Sequence, residues 1–458
     1  MFSKETYKAR RAQLKQAVGS GLLLFLGNEE SGMNYADNTY HFRQDSTFLY
    51  FFGLPYAGLA AVIDIDNNRE IIFGDELTID AIVWMGTQPT LKEKSEATGL
   101  HEVRPFREIE SYLKQAQQKG QAIHYLPTYR TEHQLKLFAW LGVVPGNEKP
   151  SVPFIMGVVN QRIYKSAEEI AEIEKACNVT ADMHLAAMRT VRPGIYESEV
   201  AAVVAETAFK HNYELSFPTI ATINGQTLHN HDHSHLIKSG DMLLLDAGAE
   251  TEMGYAGDMS STIPADKKFT QRQKDVYDIQ VAAHETAVAA LRPGIKFVDV
   301  YEKACTVIMQ GMKDLGFAKG DPAEAVKAGA HAMFMPCGLG HMMGLDVHDM
   351  ENLGEEYVGY NGQPKSKQFG RKSLRLGREL EPGFVLTIEP GVYFIPELID
   401  LWRSEGKFLE FLDYDKLDTY KDFSGIRNEE DYLITEEGAR RLGKRIPLHT
   451  DEVENEHC

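Results

Sequence analysis

The stretch VRPGIYESEV at 191–200 returns as LRPGIKFVDV at 291–300, and this repeat constrains the fold more than any other feature. Each copy follows a long helical pattern and precedes another, EVAAVVAETAFKHN in one case and VDVYEKACTVIMQGMKDLG in the other. An offset of 100 residues is too long for a solenoid unit and suits a duplicated half-domain. Two related α/β halves facing each other create a cleft, a usual place for a ligand site. Arg-Pro-Gly alone is a common helix stop. The repetition of the flanking helices is what argues for duplication.

At 458 residues the chain is too long for one ordinary core, so two domains are expected. The stretch VPGNEKPSVPFI (144–155) gathers prolines, a glycine and charges between two patterned regions. Before it, the β-rich runs GLLLFLG, AGLAAVIDID and REIIFG alternate with helical patterns, predicting an α/β domain over 1–150. After it, KSAEEIAEIEKACNVTADMHLAAMRTV carries apolar residues at three- and four-residue steps, with Ser166 and Glu169 placed as a capping box. A second domain, of α+β type, is expected over 155–446. The polar tail PLHTDEVENEHC (447–458) is expected to fray.

The N-terminal stretch MFSKETYKARRAQLKQAV reads as a basic amphipathic helix, and GLLLFLG as a buried strand too short and too late for a secretory segment. No apolar run approaches a bilayer span, so a cytoplasmic protein with no membrane partner is expected. The net charge of −19, without a Lys/Arg cluster among aromatics, excludes a nucleic-acid surface. Cys177, Cys305, Cys337 and Cys458 form no CxxC and read as reduced thiols.

The chemistry concentrates in GLGHMMGLDVHD (338–349), which sets His341 and His348 on one glycine-flanked segment. Its G-x-G-x-x-x-G spacing is not a dinucleotide fingerprint. LLLDAGAE delivers Asp246 at the end of an apolar strand, and YAGDMSST delivers Asp258 twelve residues on, as adjacent antiparallel strands would. Either aspartate, taken singly, also fits a turn. VLTIEPGVYF places Glu389 in an apolar strand before Pro-Gly, where a carboxylate without a partner is costly. SGIRNEEDYLIT breaks a strand with Glu429, Glu430 and Asp431, among which periodicity does not choose. One imidazole and four carboxylates make a mostly hard donor set, suited to manganese, cobalt, iron or zinc. Such carboxylates repel unless cations sit between them, and two divalent ions give the composition of a two-metal hydrolase. The tract HNHDHSH (229–235) puts four histidines at alternate positions; His231, His233 and His235 read best as a polar loop leading into the LLLDAG strand.

In combination these pieces resemble the pita-bread metallopeptidases, in the branch of Xaa-Pro dipeptidase (prolidase) and aminopeptidase P. FRQDSTFLYFFGL (42–54) is similar to that branch's N-terminal domain, and about 165–445 to its catalytic domain. The resemblance implies a two-domain protein, an N-terminal α/β domain and a C-terminal α+β pita-bread domain with an internal pseudo-two-fold repeat. It implies five ligands to two divalent ions, manganese first: Asp246, Asp258, His341, Glu389 and Glu429, with Asp258 and Glu429 bridging. Matching Arg427-Asn428-Glu429-Glu430 to the family's R-I-E-D pattern singles out Glu429, with Asn428 a minor departure. His229 and His348 match histidines near the substrate, and Arg427 joins the site. Glu389 is expected to shuttle a proton to the departing imino nitrogen.

Proline-containing peptides are the implied substrates and a homodimer the implied assembly. RKSLRLGRELEPG (371–383) and the insert after Tyr393 resemble the prolidase form, in which Arg375 matches an arginine that clamps a dipeptide's carboxylate. A dipeptidase is therefore narrowly favoured over an aminopeptidase P, and Asp37 is a candidate contact for the substrate amine. Cys337 stands where relatives carry histidine in H-G-L-G-H, which puts rate and substrate preference in doubt and makes oxidation sensitivity an expectation if the thiol is exposed. A non-catalytic peptide-binding module on this fold, or a metal-free hydrolase of guanidino compounds, fits less well because all five ligands are present.

Overall fold

The computed structural model describes residues 1–457, which divide into two compact units. One comprises Met1–Arg162 with Met350–Tyr357; the other comprises Ile163–Asp349 and the chain from Val358 onward.

In the first unit the three β-rich runs are strands. β1 (Leu22–Leu26), β2 (Ala60–Asp64) and β3 (Arg69–Phe73) pair antiparallel in succession, Leu24 opposite Val62 and Val62 opposite Ile71. β4 (Glu102–Arg104) and β5 (Ile123–His124) join parallel to β3 and β1, giving the order β4-β3-β2-β1-β5. Because side chains alternate across a strand, both faces of β1 are covered. Leu22 and Leu24 pack with Leu113, Leu137 and Trp140 of two helices. Phe25 meets Phe51, Phe52 and Phe154 at ring-centroid distances of 5.5, 4.9 and 5.0 Å.

The expected boundary over 144–155 lies too early. Val152–Arg162 is a helix of the first unit, with Phe154, Ile155, Val158 and Val159 buried. Pro153 sits in its first turn, where a missing N–H costs nothing, so a proline read as linker is a helix start.

The second unit shows the duplication in its hydrogen bonds. Helices Ala167–Thr190 and Glu197–Lys210 make one pair, Gln271–Ala290 and Phe297–Asp314 the other. Between the helices of the first pair, Gly194 N donates to Ile237 O at 2.9 Å and Ile237 N to Ile195 O at 2.9 Å. Between those of the second, Gly294 N donates to Leu380 O at 2.9 Å and Leu380 N to Ile295 O at 2.8 Å. Ile237 and Leu380 are therefore equivalent, and each leads after a positive-φ glycine (Gly240, Gly383) into an apolar strand.

Those strands organise the sheets. β6 (Glu214–Leu215) pairs with β9 (Ala249–Glu250), while β8 (Met242–Ala247) lies between β7 (Ile220–Thr222) and β10 (Met259–Pro264), antiparallel to both. β14 (Glu430–Ile434) lies between β11 (Val385–Ile388) and β15 (Ala439–Arg441), and β12 (Gly391–Tyr393) pairs with β13 (Gly425–Arg427). Leu243, Leu245, Met183, Val200 and Val204 belong to one buried cluster between β8 and the first helix pair.

The tail is not frayed over its described length. Thr450–Glu456 forms a helix that buries Val453, and His457 Nε2 lies 2.5 Å from Val191 O. A capping box between His449 and Glu452 starts that helix within a stretch that reads only as polar. No described helix is long and apolar enough to cross a membrane.

Candidate metal centre

Four of the five expected ligands reach the site from a strand end or strand break, and His341 reaches it from a segment beside β11. Asp246 is in β8, opposite Ser260 of β10, and Asp258 immediately precedes β10, so the two aspartates sit on adjacent antiparallel strands as their spacing implies. Glu389 follows β11 directly, nine residues after Leu380, just as Asp246 stands nine residues after Ile237. The duplication thus places an acidic residue at the same point of both halves. Glu429 fills the gap between β13 and β14, its N–H donating to Ser260 O at 3.0 Å. His341 lies alongside β11, where Thr387 N donates to His341 O at 3.0 Å.

Two glycines make that approach possible. A Cβ on Gly340 would fall 2.0 Å from Thr387 O, and one on Gly344 would fall 2.8 Å from both the Asp349 carboxylate and the Lys165 side chain. Lys165 Nζ donates to Asp349 Oδ2 at 2.7 Å with both side chains buried, anchoring the end of the segment that bears His341 and His348. The two imidazole rings lie 4.3 Å apart, edge to face.

The five residues line one cavity, together with His229, His348, Arg375 and Arg427. His341 Nε2 is 3.3 Å from Asp258 Oδ2, 3.9 Å from Glu429 Oε1 and 4.0 Å from Glu389 Oε1. Donor atoms of Asp258, His341 and Glu429 all fall within 4.8 Å of one another, close enough to hold an ion. Asp246 instead accepts from Arg427 Nη2 at 2.5 Å; the same guanidinium donates to Ser260 Oγ at 3.0 Å and to Tyr393 Oη at 3.0 Å. Ser260 Oγ in turn donates to Glu429 Oε2 at 2.8 Å.

Three buried carboxylate oxygens, Asp246 Oδ1, Asp258 Oδ1 and Glu429 Oε1, have no hydrogen-bond partner among the described residues. Leaving such atoms unsatisfied is expensive, and cations are the partners this donor set suits. The residues therefore fit divalent metal ions. Without a cation the charges resist one another. Burial first, then the Asp246 charge, holds the Asp258 carboxyl well above its ordinary range. Burial and the Asp258 charge do the same to Glu429. Burial also raises Glu389, against the pull of His341 and Arg427.

Several side chains around this cavity lie elsewhere than their sequence pattern implies. His233 and His235 belong to the expected loop, with His233 Nε2 at 3.1 Å from Thr219 O, but His231 lines the cavity beside His229. Alternate spacing with His229 was the signal for it. Tyr393 was not anticipated as the partner of Arg427, because 34 residues separate them. Cys337 is a cavity residue only partly exposed, and burial with the nearby Glu389 charge pushes its thiol up to about 12. A thiol held protonated at neutral pH is a poor nucleophile. Asp37 is exposed, in the first unit, and is not among the residues lining the cavity.

The family model described as metallopeptidase family M24 matches residues 171–436, more than half of the chain, and spans all five residues. The chain belongs to metallopeptidase family M24. A second model, aminopeptidase P N-terminal domain, matches residues 7–124 of this M24 protein. The Xaa-Pro aminopeptidase of Escherichia coli (strain K12) is 31% identical over 480 residues, covering 99% of this chain and 97% of that protein. The Xaa-Pro dipeptidase of Homo sapiens is 29% identical over 454 residues, covering 97% and 90%. Among solved structures, proline aminopeptidase P II from Yersinia pestis superposes with a TM-score of 0.82 at 28% identity, covering 100% of this chain and 99% of that one. A zinc-substituted E. coli aminopeptidase P in complex with product gives 0.81 at 28% identity, covering 100% and 98%. These neighbours share the two-domain pita-bread architecture expected from the sequence, and as an M24 metallopeptidase the protein is a hydrolase.

Proposed function

We propose that this M24 metallopeptidase cleaves Xaa-Pro bonds and that dipeptides are its preferred substrates. The observation that carries the preference is Arg375, which lines the same cavity as the carboxylates and whose charge acts on Glu389 and His229. A guanidinium fork suits the free carboxylate of a dipeptide. Asp246, Asp258, His341, Glu389 and Glu429 are the proposed ligands of two divalent ions, manganese first. Bound there, the ions supply Lewis acidity toward the scissile carbonyl and a water of lowered pKa.

The side chains do the rest. Glu389 takes the proton of the attacking water and delivers it to the proline nitrogen as the C–N bond breaks, because an amine anion is a poor leaving group. His229 and His348 donate toward the oxygen that gains charge as the carbonyl becomes tetrahedral. Arg427, tied to Tyr393, holds Asp246 in place. Cys337 lines the wall at the position where the family resemblance implies a histidine, and its thiol leaves a less polar surface there.

Aminopeptidase P is the second reading, favoured by the E. coli Xaa-Pro aminopeptidase matching over nearly its whole length. Chelator-stripped protein offered an Xaa-Pro dipeptide and an Xaa-Pro-Yaa tripeptide, with and without manganese, separates the two. Manganese-dependent cleavage of the dipeptide alone supports the dipeptidase; efficient tripeptide cleavage replaces it with the aminopeptidase; cleavage of neither refutes both.

A homodimer and a cytoplasmic location belong to the same proposal. The helix Ile79–Met85 supports the former: it buries none of its residues and exposes Ile79, Val83, Trp84 and Met85. A monomer on gel filtration at micromolar concentration would overturn the dimer.

A further inference from the structure

We propose that Glu197 is a positioning residue that holds the histidine-bearing wall of the cavity in place, an inference that rests on the Xaa-Pro reading for its kinetic arm. Glu197 is fully buried at the start of the helix Glu197–Lys210. Its Oε1 accepts from Ile223 N at 2.8 Å. Its Oε2 accepts from His235 N at 3.1 Å and from His235 Nδ1 at 3.0 Å. One carboxylate therefore ties both ends of the segment 223–235, and that segment carries His229 and His231 to the cavity.

The duplication shows that the fold itself does not ask for a carboxylate here. Glu197 N donates to His235 O at 3.0 Å, and Phe297 N donates to Arg378 O at 2.9 Å at the corresponding start of the second half's helix. Phe297 is equally buried. The same backbone corner is thus built with a hydrocarbon in one half and a charge in the other. Burying a carboxylate costs free energy unless its oxygens are bonded, and here they are bonded by the two ends of a single loop. What that charge adds over phenylalanine is the fixed closure of 223–235. Loops that carry reacting groups gain most from such closure, because catalysis depends on groups held within fractions of an ångström.

The test uses full-length, manganese-loaded protein and the variants Glu197→Ala, Glu197→Gln and Glu197→Asp. In Glu197→Ala, amide exchange at Ile223 and His235 is expected to speed up by about tenfold or more, as loss of charge-assisted bonds implies. Exchange in the helix Gln271–Ala290 and bound manganese should stay as in wild type. The kcat/KM for an Xaa-Pro peptide should fall about tenfold. Adding Glu197→Ala to His229→Ala should then cost little beyond His229→Ala alone, since the carboxylate acts through the loop. Glu197→Asp should recover part of the loss, and Glu197→Gln, which fills the same volume, serves if the alanine variant does not fold. Unchanged exchange at Ile223 and His235 overturns the clamp. Fully additive losses with His229→Ala, or loss of manganese, replace it with a general structural role. Exchange is read without substrate, so a wild-type enzyme inert toward Xaa-Pro peptides overturns the proposed substrate separately from the clamp.

Discussion

Loading the site with metal is expected to expel protons, because its buried carboxylates hold them more tightly than ordinary carboxylates do. In the metal-free protein, burial and mutual repulsion hold Asp258 and Glu429 well above the ordinary carboxylate range, with Glu389 raised as well. A carboxyl raised in this way keeps its proton to higher pH than an ordinary one, whereas a metal ligand must be ionised. Binding is therefore expected to release protons, and Asp258 and Glu429 are the groups most strongly raised. The sign follows: below the raised pKa values protons compete with the metal, so affinity climbs as pH rises. Each proton released on binding steepens that climb by about tenfold per pH unit. Isothermal titration of chelator-stripped protein with manganese, at pH 6.5 and 7.5 in buffers of different ionisation enthalpy, counts the protons directly. Glu429→Gln should lower the count. A manganese affinity flat across this range, with heats independent of buffer, would refute the reasoning.

Three further outcomes are expected. Glu389→Ala should lower kcat for an Xaa-Pro dipeptide by about 10²–10⁴-fold, the range for losing a proton-transfer group, and near-wild-type turnover would remove Glu389 from that role. Lys165→Met leaves the buried Asp349 without its ammonium partner and should cost about 3–5 kcal/mol in denaturant titration of the metal-free protein, most of it regained in Lys165→Met with Asp349→Leu. Arg375→Ala should raise KM for an Xaa-Pro dipeptide by about 10–100-fold while affecting a tripeptide less; equal effects on both would sink the carboxylate clamp.

Much of the architecture was legible because local patterning and tertiary structure agree. The runs at 22–26, 60–64 and 69–73 are apolar enough to be strands in any context, and the Asp246–Asp258 spacing matches the antiparallel β8–β10 pair. What escaped notice depends on partners far away in sequence. Pro153 reads as a breaker until its helix is seen to bury Phe154 and Val158. The tail around Val453 looks polar because a single apolar residue anchors it. Glu197 looks like an ordinary acidic residue in a helix's first turn; only the return of His235 from 38 residues away reveals it as an acceptor. The repeat itself is visible at 191 and 291 but fades afterwards, because the second half takes a longer path to Leu380 than the first takes to Ile237.

That unequal duplication reaches into the donor set. Asp246 and Glu389 stand at matching points of the two halves but differ by a methylene, so the two carboxylates extend unequally into the cavity. Beside β11 the adjoining segment supplies His341; beside β8 the matching place holds Thr222, whose hydroxyl accepts from Asn224 N at 3.0 Å and Asn230 Nδ2 at 3.0 Å. In the proposed two-ion site, the His341 side would offer an imidazole nitrogen beside the carboxylates, whereas the Thr222 position on the other side would offer none. Two cations in such a pair of berths would not be interchangeable: they should load in sequence, and the nitrogen-bearing berth should be the more tolerant of zinc or cobalt.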